Sequence, residues 1–221
     1  VYNRANNRIV HYKAGTEAKT GGLSNGCIWS VLQDRQGDIW IGTDNGLNRV
    51  KKESGEIIVY KHDLFNASSL SYNMVKSIVE DSQGQIWVGT MDGLNRFDRN
   101  RNAFTVFYHR QSNPHSIAHS NIYTLCDDKK GNLWIGTQWG LSRYNIATGQ
   151  FTNYYHDPDN PNSLMCNIIY SLLVDHAGAL WIGTQDGLSM YDTEKDMFTN
   201  YRHDSENKSG LSAFPVFSLY E

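Results

Sequence analysis

The chain has 221 residues, with 20 Lys or Arg against 23 Asp or Glu and a net charge of −3. That balance excludes the basic stripe of a nucleic-acid-binding surface, and no apolar run reaches the roughly 20 residues that a membrane-spanning helix needs. The 19 glycines, 4 prolines and 12% aromatic residues fit many short strands joined by tight turns.

The sequence is periodic. Trp40, Trp87, Trp134 and Trp181 each sit in the motif Ile/Leu-Trp-Ile/Val-Gly-Thr, and each follows the last by 47 residues. A fixed period of this length marks a repeat architecture. In chain order, residues 1–22 resemble the third and fourth strands of a unit and read as a partial blade. Whole units follow at 23–62, 70–109, 117–156 and 164–203. Residues 211–221 resemble the first strand of a further unit. The unit from Ile122 reads IYTLCDD, KKGN, LWIGT, QW, GLSRYN, IATGQ, FTNYYHD. These are four apolar-aromatic runs separated by hairpin-sized turns. Helical-pair repeats can share such a period. The Gly-Thr pairs, the β-branched residues and the frequent turns argue against them. Four strands per unit make the sheet of a β-propeller blade, so the expected fold is all-β: a propeller of four-stranded antiparallel blades, as a segment of a larger one.

Columns that recur in every unit have structural explanations. Asp34, Asp81, Asp128 and Asp175 each precede a glycine by three and close a turn, and Gly46, Gly93, Gly140 and Gly187 serve the next hairpin. The glycine two residues after each tryptophan is expected to let a neighbouring backbone come close. Ser30, Ser77, Thr124, Ser171 and Ser218 are expected to make local hydroxyl bonds. His62, His109, His156 and His203 fall on different blades, too far apart to share a metal.

No catalytic residue, metal site or cofactor is expected. The chain lacks the nucleophile elbow, the zincin motif, the P-loop and the dinucleotide fingerprint. Asp127-Asp-Lys-Lys-Gly-Asn lacks the alternating carboxylates of a calcium loop. Cys27, Cys126 and Cys166 lack metal or redox spacing. Asn66-Ala-Ser68 and Asn207-Lys-Ser209 match the glycosylation sequon.

Binding is expected where the pattern breaks, in loops carried on a rigid scaffold. The loops leading into the first strand supply Asn25-Gly26, Tyr72-Asn73, His119-Ser120, Cys166-Asn167 and Ala213-Phe214. The hairpins between the second and third strands supply Asp44-Asn45, Met91-Asp92, Gln138-Trp139 and Gln185-Asp186. Trp139 is the boldest departure, because the other units place Asn or Asp there. It either stacks on a sugar ring or partner, or folds back on an adjacent blade. Trp29 is expected in the core, since its equivalents include Tyr123, Tyr170 and Phe217. Lys76 is the odd member of that set and marks the channel. His115, His119 and His176 lie outside the histidine column and read as surface or turn residues.

The segments WIGTDNGLNRV, WVGTMDGLNRFD, WIGTQWGLSRYN and WIGTQDGLSMYD resemble the two-component regulator propeller repeat. The resemblance covers essentially the whole chain. It implies the periplasmic sensor region of a hybrid two-component histidine kinase of the Bacteroidetes type. It further implies an oligosaccharide ligand, homodimerisation in the full-length sensor, no nucleic acid, and membrane attachment only through parts of the parent chain not present here. It transfers no catalytic residue. A protein–protein scaffold without a small ligand is the alternative, followed by a propeller lyase or hydrolase.

Overall fold

The computed structural model describes residues 2–3, 8–9, 11–15, 22–203, 211 and 214–221. The Asn207 sequon and the lead-in residue Ala213 lie outside them. A short antiparallel pair joins β1 (Tyr2–Asn3) to β2 (Arg8–Ile9). Four sheets follow. The first holds β3 (Ile28–Gln33), β4 (Ile39–Thr43), β5 (Gly46–Val50) and β6 (Ile57–Tyr60). The second holds β7 (Val75–Glu80), β8 (Ile86–Thr90), β9 (Gly93–Asp98) and β10 (Ala103–Phe107). The third holds β11 (Ile122–Asp127), β12 (Asn132–Thr137), β13 (Leu141–Asn145) and β14 (Gln150–Tyr154). The fourth holds β15 (Ile169–Val174), β16 (Leu180–Thr184), β17 (Gly187–Asp192) and β18 (Met197–Tyr201). Each is an antiparallel meander in chain order, and no helix occurs among the described residues. This is a propeller of four-stranded blades, with consecutive first strands in contact: β3 with β7, β7 with β11, β11 with β15.

The core lies between blades. Trp40, Leu47 and Tyr60 of the first blade pack with Val75, Ile86, Val88, Phe97 and Phe104 of the second. Trp87 and Leu94 join Ile122, Leu133, Tyr144 and Phe151 of the third. Trp134 and Leu141 do the same with Ile169, Ile182, Tyr191 and Phe198 of the fourth. Each tryptophan meets the aromatic ring of the next blade's third strand edge-on. The centroids are 5.0 Å apart for Trp40–Phe97 and 5.1 Å for Trp87–Tyr144 and Trp134–Tyr191. Arg49, Arg96 and Arg143 lie over the same indoles, 5.1, 5.9 and 5.8 Å from the ring centroids.

The glycine after each tryptophan does let the next blade approach. A Cβ on Gly42 would sit 2.6 Å from Val75, on Gly89 2.6 Å from Ile122 and on Gly136 2.7 Å from Ile169. The first-strand hydroxyls also act between blades. Ser30 Oγ accepts the Ile78 N–H at 3.1 Å and Ser77 Oγ accepts the Leu125 N–H at 3.0 Å. The expectation of local bonds is corrected: the bulged, closely packed first strands bring a backbone donor from the next unit nearer than any local partner.

The turn aspartates carry more than a turn. Asp34 Oδ1 accepts the N–H groups of Gln36 and Asp38, and its Oδ2 accepts the Trp40 indole N–H at 2.8 Å. Asp81 repeats this with Trp87 at 2.7 Å and Asp175 with Trp181 at 2.8 Å. In the third blade Asn132 Nδ2 takes the place of the indole on Asp128. Asp34 also receives Arg99 from the second blade at 2.9 Å. Burial alone would raise its pKa, but the Trp40 and Arg99 hydrogen bonds outweigh that and hold it below the ordinary carboxylate value.

The histidine column is a loop anchor. His62, His109 and His156 each place Nδ1 2.8–2.9 Å from the carbonyl of Leu70, Ile117 and Leu164. A carbonyl can only accept, so Nδ1 bears the proton. Residues 214–221 lie against the fourth blade without pairing as a strand. The Val216 N–H donates to Thr184 O at 3.0 Å, and Glu221 accepts the His176 N–H as Glu80 accepts that of Arg35.

Gly89→Ala should destabilise the protein by about 1–3 kcal/mol, because the new methyl meets a packed Ile122. Gly26→Ala, with open space around it, should change stability by less than about 0.5 kcal/mol. Urea unfolding midpoints compare the two, and equal midpoints would remove the glycine seat as the reason for the motif.

Candidate functional site

Antiparallel order puts the lead-in loops and the second-to-third-strand hairpins at one end of every blade. The other two turns of each blade lie at the opposite end. At the lead-in end the blades are laced together. The N–H of Gly46 donates to Asn73 O at 2.7 Å, Gly93 to Ser120 O at 2.7 Å and Gly140 to Asn167 O at 2.8 Å. These hairpin glycines have φ of 125°, 117° and 106°, a conformation that costs other residues strain.

Each first strand carries a bulge at this end. Pairing runs Ile28↔Thr43 then Ser30↔Gly42, which skips residue 29. The skip recurs at 76, 123 and 170. An extra residue in one strand re-aims its side chain. The four side chains so turned are Trp29, Lys76, Tyr123 and Tyr170, one per blade, with Phe217 beyond them. They form a row. Lys76 Nζ lies 3.0 Å from the Trp29 ring centroid, the Tyr123 and Tyr170 centroids are 5.8 Å apart, and those of Tyr170 and Phe217 are 4.8 Å apart. The expectation that Trp29 is core is corrected. The bulge turns it out of the sheet and leaves it 53% exposed, with its Nε1–H donated to Asp44 Oδ1 at 2.6 Å. Burial lowers the Lys76 pKa, and Asp44 partly opposes this.

The residues expected from sequence all lie at this end, in differing roles. Trp139 is 58% exposed and does not fold back as a buried ring; its backbone N–H bonds Thr137 Oγ1. Tyr72 is also exposed. Gln138 Oε1 accepts Asn121 Nδ2 at 3.0 Å, and Gln138 N–H donates to Asn121 O. Asn121 is buried, its Oδ1 has no partner, and its amide lies against the Tyr123 hydroxyl. Two named residues build the loops: Asn73 Oδ1 accepts the His62 N–H and Asn25 Oδ1 the Cys27 N–H. Met91 N–H and Gln185 N–H bond Met74 O and Ile168 O, which fixes their hairpins. Asp92 and Asp186 are exposed hairpin carboxylates, and Asp186 lies beside the Cys166 thiol.

Sequence reasoning placed Asp44 among the hairpin positions but missed Asn121 as a member of this site and misjudged Trp29. Cys126 lies elsewhere, with its thiol pushed up to about 11 by burial. Two polar clefts, of about 420 and 580 Å³, lie at the opposite end among Gln85, Arg96 and Arg99 and among Asp38, Lys51 and Glu56. No group of three metal-ligating side chains occurs among the described residues.

His119 and His109 stack with centroids 6.3 Å apart. Burial lowers the His119 pKa and His109 lowers it further, with Asp92 opposing. Protonation at Nδ1 would also forfeit the bond it accepts from the Asn121 N–H. The His119 signal should therefore titrate in NMR below 6.5, the ordinary imidazole value. Its folded pKa is depressed, so its contribution to stability is full above that value and declines as pH falls below it. A midpoint at or above 6.5 would contradict the burial of this ring.

The two component regulator propeller family matches residues 22–45, 69–92, 116–139 and 163–186. Each match runs from a lead-in loop through two strands to the hairpin of one blade. No curated protein sequence matches. Among solved structures, the chain is similar to the extracellular domain of the hybrid two component system BT3049 from B. thetaiotaomicron. The identity is 25% and the TM-score 0.71, over 86% of this chain and 25% of that one. The extracellular domain of BT4673 from the same organism is 25% identical, with a TM-score of 0.72, over 91% of this chain and 25% of that one. The chain thus spans about a quarter of the length of these domains. Virginiamycin B lyase from Staphylococcus aureus, 14% identical with a TM-score of 0.57 over 79% of this chain and 55% of that one, shares the fold alone. With one matched segment on each of its four blades, the chain carries four two component regulator propeller repeats.

Proposed function

We propose that this chain is a non-catalytic sensor segment of a hybrid two-component regulator, placed in the periplasm, that binds a signal ligand at the lead-in end of its blades. One observation carries the reading: side chains that break the repeat converge at this end on a backbone that repeats. Exposed rings (Trp29, Tyr72, Trp139) stand beside amides and carboxylates (Asn121, Gln138, Asp44). Ring faces flanked by hydrogen-bonding groups suit a saccharide, whose ring carries apolar faces and a polar rim. The similarity to extracellular domains of hybrid two component systems supports the same reading. An oligosaccharide is accordingly the proposed ligand. In the full-length sensor, a homodimer, the ligand acts by differential affinity for two arrangements, since it can shift an equilibrium no further than that difference. A partner protein would instead need a continuous apolar surface, and these rings are interleaved with polar groups.

The test is calorimetry and thermal shift against a panel of neutral and acidic oligosaccharides. At least one should bind, and Trp139→Ala or Trp29→Ala should weaken it about tenfold, consistent with the loss of an aromatic stacking contact. If no saccharide binds or raises the melting temperature, the proposal fails.

A further inference from the structure

Lys76 breaks the row of bulge side chains. The other blades place rings there: Trp29, Tyr123, Tyr170 and, beyond them, Phe217. An ammonium carries three donors and no acceptor. Among the described residues the Lys76 ammonium makes no salt bridge and donates no hydrogen bond; its close contact is the Trp29 ring face, 3.0 Å from Nζ to the centroid. Asp44 is the nearest carboxylate that affects it, but Asp44 Oδ1 is taken by the Trp29 indole N–H at 2.6 Å. That bond fixes the indole, and the indole fixes the ammonium. The charge is therefore held in one place by a π face, with its N–H donors open, and it is partly withdrawn from water.

A second observation points the same way. Asn121, 8% exposed, keeps its Oδ1 unpartnered while its Nδ2 is anchored on Gln138. It sits two residues before the bulge residue Tyr123 and lies against that hydroxyl. Lys76 is thus a fixed cation with open donors within the row, and Asn121, beside Tyr123, is a buried amide with an unpartnered oxygen. The rings of Tyr123, Tyr170 and Phe217 continue the row, tilted and spaced 5.8 and 4.8 Å apart.

Resting on the saccharide reading above, we infer that the bulge row is a binding subsite for an acidic saccharide, with Lys76 pairing to the carboxylate or sulfate of one sugar. The rings of Tyr123, Tyr170 and Phe217 stack on the neighbouring sugars. Lys76 sets specificity: an anion gains a charge-assisted hydrogen bond there, whereas a neutral hydroxyl gains a weaker one.

Calorimetry with trisaccharides of galacturonic and glucuronic acid, a sulfated trisaccharide, and neutral galactose and glucose trisaccharides of the same linkages tests this. The uronic or the sulfated probe should bind about tenfold or more tighter than its neutral counterpart, and the gap should narrow as ionic strength rises. Lys76→Tyr restores the ring found in the other blades without the charge, and it should bring the acidic-to-neutral affinity ratio close to one. An unchanged melting temperature checks that this variant folds. Three results would overturn the inference: equal binding of acidic and neutral probes, a ratio that survives Lys76→Tyr, or no binding by any acidic probe. Equal binding that Trp29→Ala weakens leaves saccharide sensing standing and removes only the charge reading. Failure of every saccharide removes both.

Discussion

The structure depends on one close approach. A bare glycine Cα in the second strand of one blade receives the Val or Ile that begins the first strand of the next: Gly42 with Val75, Gly89 with Ile122, Gly136 with Ile169. That seat brings the two sheets near enough for the preceding tryptophan to reach the next blade's third-strand aromatic. The buried clusters consequently cross from blade to blade. A single blade has almost no core of its own, so stability comes from stacking neighbours. Trp40, Trp87 and Trp134, each packed against a following blade, are accordingly at most 2% exposed.

Much of this was legible in the sequence because it repeats. The tryptophan, glycine and aspartate columns each answer a need that recurs every 47 residues. What was not legible involved partners one unit away. The Ser30 hydroxyl meets the N–H of Ile78, 48 residues on, and no local pattern reveals that. The bulge was missed for a different reason: it alters strand register and leaves composition alone. It did leave one signal. The buried pairs on the second and third first strands are Val75 with Ile78 and Ile122 with Leu125, spaced by three where regular alternation requires two. An extra residue must lie between each pair. The misjudgement of Trp29 follows from reading that strand as regular.

A further relation runs between columns. The first two blades carry Asn48 and Asn95 where the last two carry Ser142 and Ser189. Each asparagine accepts the N–H of Ser24 or Ser71 through its own Oδ1. The shorter serines still accept the N–H of Ala118 and Met165, and they donate to a second residue, Asn153 or Asn200. The fourth strands of the first two blades have Val59 and Val106 there instead. The same lead-in backbone is thus held by two different side-chain sets. This decouples the loop's position from its residues and lets its exposed members vary without moving the scaffold.

That decoupling bears on how a ligand at this end could produce a signal. The lead-in loops are anchored by the histidine column, by the Asn and Ser sets, and by hairpin glycines that donate across to the next blade. A loop held at three points is ordered before anything binds, so little conformational entropy remains to be lost. The same anchoring limits how far any one loop can move. Reporting occupancy by local rearrangement would mean breaking backbone bonds that every blade repeats. Under the proposed sensor role, the softer degree of freedom would be the placement of this group of blades against the rest of the assembly. A ligand contacting side chains of several blades at once would gain affinity in one such placement and lose it in another, which is the difference on which the proposed switch rests.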